Sequence, residues 1–336
     1  MHTRIRLLAV PLAAVLLAAC GAGSTPAPSI GPAASAVSPS VAPAASSTAS
    51  VAPASPAAGS PAAAAVSASC AKGQVQTLTS GKLTIGTDNP AYPPYFAPSS
   101  PDPSPWQLGD PTNQQGFESA VAYAVATQLG FTADQVKWIV VPFENSFQPG
   151  AKPFDFYIAQ VSYTDARAKA VDLSDGYYFV AQSVVALNGN PLAKVTSISA
   201  MKNFKFGAQV GTTAYDAIKN TIAPSTPISV YQTNDAAIKA LQAKQIDGLV
   251  VDLPTAFYIT AAQLVDKNGN SLATIVGQLP VQAGPNAEHF SLVLAKNSPL
   301  TDCVNQAISA ITANGTLAQI TQTWLADKAN APVLQP

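Results

Sequence analysis

Charge is scarce in this chain. Asp, Glu, Lys and Arg make up 10% of its 336 residues, and the formal net charge is −1. No cluster of Lys and Arg stands out, so the basic footprint of a nucleic-acid surface is missing. Histidine is nearly absent, with two residues in all, His2 and His289. Glutamate is confined to Glu118, Glu144 and Glu288. A Ser-His-Asp triad would have to be built on His289, and there is no G-x-S-x-G elbow to present a serine nucleophile. No Cys/His cluster has metal-ligand spacing, and no metal or cofactor is expected. Beyond the first twenty residues no apolar run is long enough to span a membrane.

What is present begins at the leader, MHTRIRLLAVPLAAVLLAAC. Arg4 and Arg6 precede an apolar run from Leu7 to Ala19, too short for a bilayer span and right for the h-region of a signal peptide. The run closes at LAAC, residues 17–20, which resembles the lipobox of bacterial lipoproteins. By that resemblance residues 1–19 are removed and Cys20 is lipidated, anchoring the chain to the outer face of the cytoplasmic membrane. An ordinary signal peptide cleaved near the same point is the alternative. Loss of Arg4 and Arg6 moves the net charge from −1 to −3.

Residues 21–69 carry no charge and are almost wholly Ala, Pro, Ser, Val, Thr and Gly. Such a segment cannot bury enough apolar surface to repay its ordering entropy, so 20–69 is expected to be a tether. As a coil it spans on the order of 40 Å, and fully extended about 150 Å. The remainder, from residue 70, is long enough for two lobes with their own cores. Cys70 and Cys303 are an even pair in an exported chain, which reads as a disulfide stapling the domain's two ends; two free buried thiols are the alternative.

Periodicity alternates from there. Strands are expected at 82–87, 136–141, 154–159 and 181–187, with a helix over 116–130 that stops at Gly130. A second series places strands at 204–210, 228–232 and 246–252. Its helices open at Gly211, at Thr233 and near Pro254. A strand at 290–296 and helices at 299–313 and 316–327 close the chain. Alternation of this kind implies an α/β fold with parallel sheets. Two sheets facing each other leave a cleft at the carboxyl ends of their strands.

Six separated segments then come in one order: GTDNPAYPPY (86–95), GFE (116–118), FDFYIAQVSYTDARAKAVDLSDGYY (154–178), GAQVGTTAYDAI (207–218), IDGLVVDLPTAFY (246–258) and NGTLAQITQTWL (314–325). Together they resemble the solute-binding proteins of polar amino acid ABC importers, family 3, over residues 75–328. The resemblance implies a two-lobed, class II periplasmic-binding-protein-like α/β fold that closes on its ligand. Residues 70–187 plus 282–336 would form lobe 1, and 188–281 lobe 2. It implies a monomer that holds an amino acid in the inter-lobe cleft and passes it to a membrane permease.

The residues can be read physically beside it. A zwitterion needs a cation for its carboxylate and an anion for its ammonium. Arg167 offers a planar fork that matches a carboxylate, with Ser162 five residues before it. Thr212 and Thr213 open a helix whose free amides favour an anion. Asp252 ends an apolar strand and by the resemblance takes the ammonium. Tyr92 and Phe143 match the aromatic positions that sandwich the ligand, while Gln160 and Asp88 fall within reach of it. The competing readings are a solvated loop charge for Arg167, helix capping for Thr212 and Asp252, and core packing for Phe143. The Pro-rich loop 97–113 departs from the family pattern and is expected to bring Trp106 to the cleft mouth. PFENSFQPGAKPFDF departs too, with a Pro-Gly break where relatives carry a short helix. A dehydratase of the cyclohexadienyl type and a sensory module for a membrane receptor are the other functions that this fold supports.

Overall fold

The computed structural model describes residues 66–281, 284, 287–325 and 331–336. The leader, Cys20 and most of the tether lie outside the described residues. The tether's last few residues are already folded: Ser67 N donates to Gln306 Oε1 at 2.9 Å, and Val66 packs on the core.

The strands are β1 (Leu83–Thr87), β2 (Val136–Val140), β3 (Phe156–Tyr157), β4 (Asp172–Leu173), β5 (Tyr178–Phe179), β6 (Gln182–Leu187), β7 (Phe206–Gln209), β8 (Ser229–Tyr231), β9 (Gly248–Asp252), β10 (Ala273–Gln278), β11 (His289–Phe290) and β12 (Val293–Leu294). The helices are α1 (Phe117–Gln128), α2 (Phe143–Ser146), α3 (Asp165–Ala170), α4 (Thr213–Ala217), α5 (Asn234–Gln242), α6 (Leu253–Tyr258), α7 (Thr301–Ala313) and α8 (Thr316–Leu325). Among the described residues none is long and apolar enough to cross a membrane.

Two five-stranded sheets result, ordered β2-β1-β3-β12-β4 and β10-β6-β9-β7-β8. Both are mixed, where the alternation implied parallel sheets. The βα-connected strands do run parallel: β1 with β2 and β3, and β7 with β8 and β9. The exceptions have a topological cause. β6 carries the chain into the second lobe and β10 carries it out, so side by side they run in opposite senses. β12 returns from that excursion and pairs antiparallel with β3 and β4.

The same crossing moves the lobe boundary. The segment 182–187, placed by sequence in the first lobe, is the second strand of the second sheet. The C-terminus also returns there. Gln278 bridges Val333, Ser197 bridges Gln335, and Leu334 is buried in that lobe's core. The strand expected over 290–296 is two short pieces serving different sheets, and the one expected over 154–159 pairs only at Phe156–Tyr157.

Side-chain alternation builds the second lobe. Val184 and Val250 face one core, with Phe206, Ile218 and Leu334. Val185, Leu249 and Val251 face the other, with Ile238, Leu241 and Ile259. In the first lobe β1 is buried along its whole length, as expected of a strand covered on both faces. Its core holds Phe117, Leu129, Ile308 and the Cys70–Cys303 disulfide. Gly116 turns the chain into α1 at φ +95°, where a Cβ would lie 2.5 Å from the Tyr95 carbonyl oxygen, so only glycine fits.

Candidate functional site

The carboxyl ends of β1, β3, β7 and β9 converge on one cavity. The first lobe brings Thr87 and Asp88 from the end of β1, Tyr92 and Phe96 from the loop after it, and Gln160 from the turn after β3. Phe143 of α2 and Arg167 of α3 complete that wall. The second lobe brings Gln209 from the end of β7, Thr212 and Thr213 from the start of α4, Asn234 of α5, and the paired Gln182 and Asp252.

Arg167 is positioned by its own helix start. Thr164 Oγ1 accepts from Arg167 N at 3.1 Å, capping α3. The guanidinium then donates to the Ser162 carbonyl in its own lobe and to the Gly211 carbonyl in the other, the latter at 2.8 Å. Its Cζ lies 4.5 Å from the Phe147 ring centroid and 5.6 Å from that of Phe143. At 8% exposure Arg167 is no solvated loop charge. Among the described residues no carboxylate forms an ion pair with it. Burial lowers its pKa to about 10, with Glu288, Asp216 and Asp252 pulling the other way, so it stays a cation at neutral pH. A guanidinium has five N–H donors, and two carbonyls leave several unused.

Asp252 follows three buried apolar residues of β9 and stands where it would cap α6, yet its side chain makes no capping bond. It accepts instead from Gln182 Nε2 at 2.7 Å. The β6–β9 register sets Gln182 directly opposite Asp252, which explains the contact. Burial above all, then repulsion from Glu288, raises Asp252 to about 8. Thr212 does cap its helix, accepting from Tyr215 N and donating to the Gln209 carbonyl at 2.7 Å. Thr213 Oγ1 reaches across the cleft to Ser162 Oγ at 3.3 Å. Ser162 turns its own hydroxyl to Glu288 Oε1 at 2.8 Å and lies outside the cavity lining.

Gln160 sits at φ +50° and is pinned there by Glu118, which accepts from both its backbone N–H and its side-chain amide. Glu118 also accepts from the Tyr177 hydroxyl, and its burial raises its pKa to about 7. Asp88 accepts from Asn89 N at 2.8 Å. Burial lifts it to about 6. Phe143 lines the cavity and lies against the guanidinium at once. Trp106 is buried but does not line the cavity. The 97–113 loop folds back on 89–97, with Gln107 N on Asn89 Oδ1 and Asp110 N on the Ala97 carbonyl.

Sequence reasoning did not single out Gln182, which lines the cavity, or Glu288, which bonds Gln182 and Ser162 from outside the lining. Glu288 had a signal, being one of three glutamates in the chain. Gln182 had little, because its importance comes from a cross-strand register. Arg167 and Asp252 line one small cavity between the lobes.

Residues 83–327 match the model of the bacterial extracellular solute-binding proteins, family 3. The L-cystine-binding protein TcyJ of Escherichia coli (strain K12) is 25% identical over 248 residues, covering 73% of this chain and 82% of that one. An ancestral arginine-binding protein bound to glutamine is 26% identical with a TM-score of 0.58, covering 73% of this chain and 98% of that one. ArtJ, the arginine-, lysine-, histidine-binding protein of Geobacillus stearothermophilus, shares the fold at 21% identity and a TM-score of 0.56, covering 74% and 97%.

Proposed function

This chain belongs to the bacterial extracellular solute-binding proteins of family 3, and from that premise we propose that it captures an α-amino acid in the inter-lobe cleft and delivers it to the permease of an ABC importer. The observation that carries this reading is Arg167: a cation 8% exposed, lining the cleft, stacked on two rings and without an acidic partner among the described residues. A buried guanidinium is costly unless an anion meets it. The ligand's carboxylate supplies that anion, assisted by Thr213 and the turn after β7. Its ammonium meets Asp252. Tyr92, Phe96 and Phe143 form the apolar wall, while Asp88, Gln160 and Gln209 face the ligand's side chain. The protein works outside the cytoplasm as a monomer, held to the membrane by lipid on Cys20 and given reach by the tether.

The test is the thermal shift of the purified protein against the twenty L-amino acids. Binding to the folded state raises Tm by mass action. A rise confined to a small group of amino acids is expected and identifies the solute. A flat response to all twenty overturns the amino acid reading.

A further inference from the structure

Gln182 Nε2 lies 2.7 Å from Asp252 Oδ1, 3.0 Å from Glu288 Oε1 and 3.3 Å from Thr213 Oγ1. Two of these three neighbours are carboxylate oxygens. The end of the side chain that faces them is therefore assigned as the NH2, and the carbonyl end points elsewhere. That carbonyl oxygen, Oε1, is buried and has no hydrogen-bond partner among the described residues. It belongs to a residue 4% exposed that lines the cleft beside Arg167 and Asp252. Buried amide oxygens are nearly always satisfied, because water is lost without replacement when they are not. An orphaned acceptor on a residue that lines a binding cleft calls for a donor, and a ligand can carry one.

We propose that Gln182 Oε1 accepts an N–H from the α-ammonium of the bound amino acid, next to the one taken by Asp252. The proposal rests on the amino acid reading of the cleft and adds a second ammonium contact to it. A primary ammonium has three N–H donors, and a single carboxylate in a closed cleft does not use them all. The other end of the same amide holds Asp252 and Glu288 apart by donating to both. Gln182 thus keeps the acidic ligand group in place while its oxygen completes the ammonium's coordination. It also starts β6, the strand that enters the second lobe, and Glu288 follows β10, the strand that leaves it. A ligand held here bears on both connections between the lobes.

The test uses each L-amino acid that raises the wild-type Tm, and the carboxylic acid with hydrogen in place of its α-ammonium. Isothermal titration gives the ratio of the two affinities for wild type, Gln182→Met and Gln182→Glu. Partial unfolding lowers both affinities together and leaves the ratio unchanged. Gln182→Met is expected to cut the preference for the amino acid about tenfold to hundredfold, the usual worth of a hydrogen bond to a charged group. In Gln182→Glu a protonated carboxyl keeps a C=O acceptor and an O–H donor, so the preference is expected to return toward wild type near pH 6. An unchanged ratio in Gln182→Met overturns this proposal and leaves the amino acid reading standing. Wild-type protein that binds no amino acid overturns both.

Discussion

The guanidinium of Arg167 donates to the carbonyl oxygen of Gly211, 2.8 Å away on the far side of the cleft. A side chain from the first lobe is thereby fastened to the backbone of the second at the point where the proposed ligand's carboxylate sits. Gly211 holds φ +71°, a conformation that other residues rarely adopt. Thr213 to Ser162 and Thr255 to Tyr95 are further bonds between the lobes. Closure and the proposed anion binding therefore draw on the same residue.

Arg167→Ala is expected to weaken amino acid binding by roughly 2–5 kcal/mol, the cost of removing one member of a buried charge pair. That corresponds to about 30- to 4,000-fold in Kd. Arg167→Lys is expected to lose much of the same affinity, because an ammonium cannot bond a carboxylate bidentately while also reaching the Gly211 carbonyl. Titration calorimetry measures both, and wild-type affinity in the alanine variant would remove Arg167 from the site.

Binding should expel a proton. Burial raises Asp252 to about 8, Glu118 to about 7 and Asp88 to about 6. Between the ordinary carboxyl value, near 4, and these folded values, the folded state binds more protons than the unfolded chain. Stability of the ligand-free protein is therefore greatest below the unfolded value and falls as pH rises towards about 8. An ammonium beside Asp252 favours its ionised form, so affinity should climb with pH up to about 8, by at most tenfold per unit. Calorimetry at about pH 6.5 in two buffers of different ionisation enthalpy reads the proton directly, and identical heats in both would contradict the ammonium role of Asp252.

Much of the cavity lining was legible because motif and chemistry pointed alike. Thr213 opens a helix and Asp252 ends a strand, and composition marked Arg167 and Asp252 as unusual in a chain so poor in charge. The topology was less accessible. Whether Gln182 belongs to the first lobe or the second depends on which strand crosses between them, and local periodicity is the same either way. Its pairing with Asp252 is a contact over 70 residues of sequence, set by antiparallel register. Ser162 shows the converse: its spacing from Arg167 was read correctly, but its hydroxyl is engaged by Glu288, far away in sequence.

Glu118 is expected to matter for the site without touching the cavity. Its carboxylate takes three donors: the Gln160 N–H, the Gln160 amide and the Tyr177 hydroxyl. Glu118→Ala leaves all three buried and unpaired, costing roughly 2–5 kcal/mol of stability. It also frees the Gln160 turn from its positive φ. Urea denaturation and ligand titration together test this: a variant with wild-type stability and affinity would show that the turn holds itself.

The disulfide should act on the fold and not on the ligand. Cys70 and Cys303 are joined across a sequence separation of 233, and both are buried in the first lobe's core beside Val304 and Leu129. Closing so long a loop restricts the unfolded chain, and replacing both cysteines by serine is expected to cost roughly 3–5 kcal/mol. Two hydroxyls in an apolar core add to that loss. None of the residues lining the cleft lies on α7, which carries Cys303. The double variant should therefore show a lower urea midpoint, with amino acid affinity close to wild type at temperatures where it remains folded. Unchanged stability would mean that the packing of α7 on α1 already holds the two ends together, and a large loss of affinity would mean that the first-lobe core sets the cleft geometry.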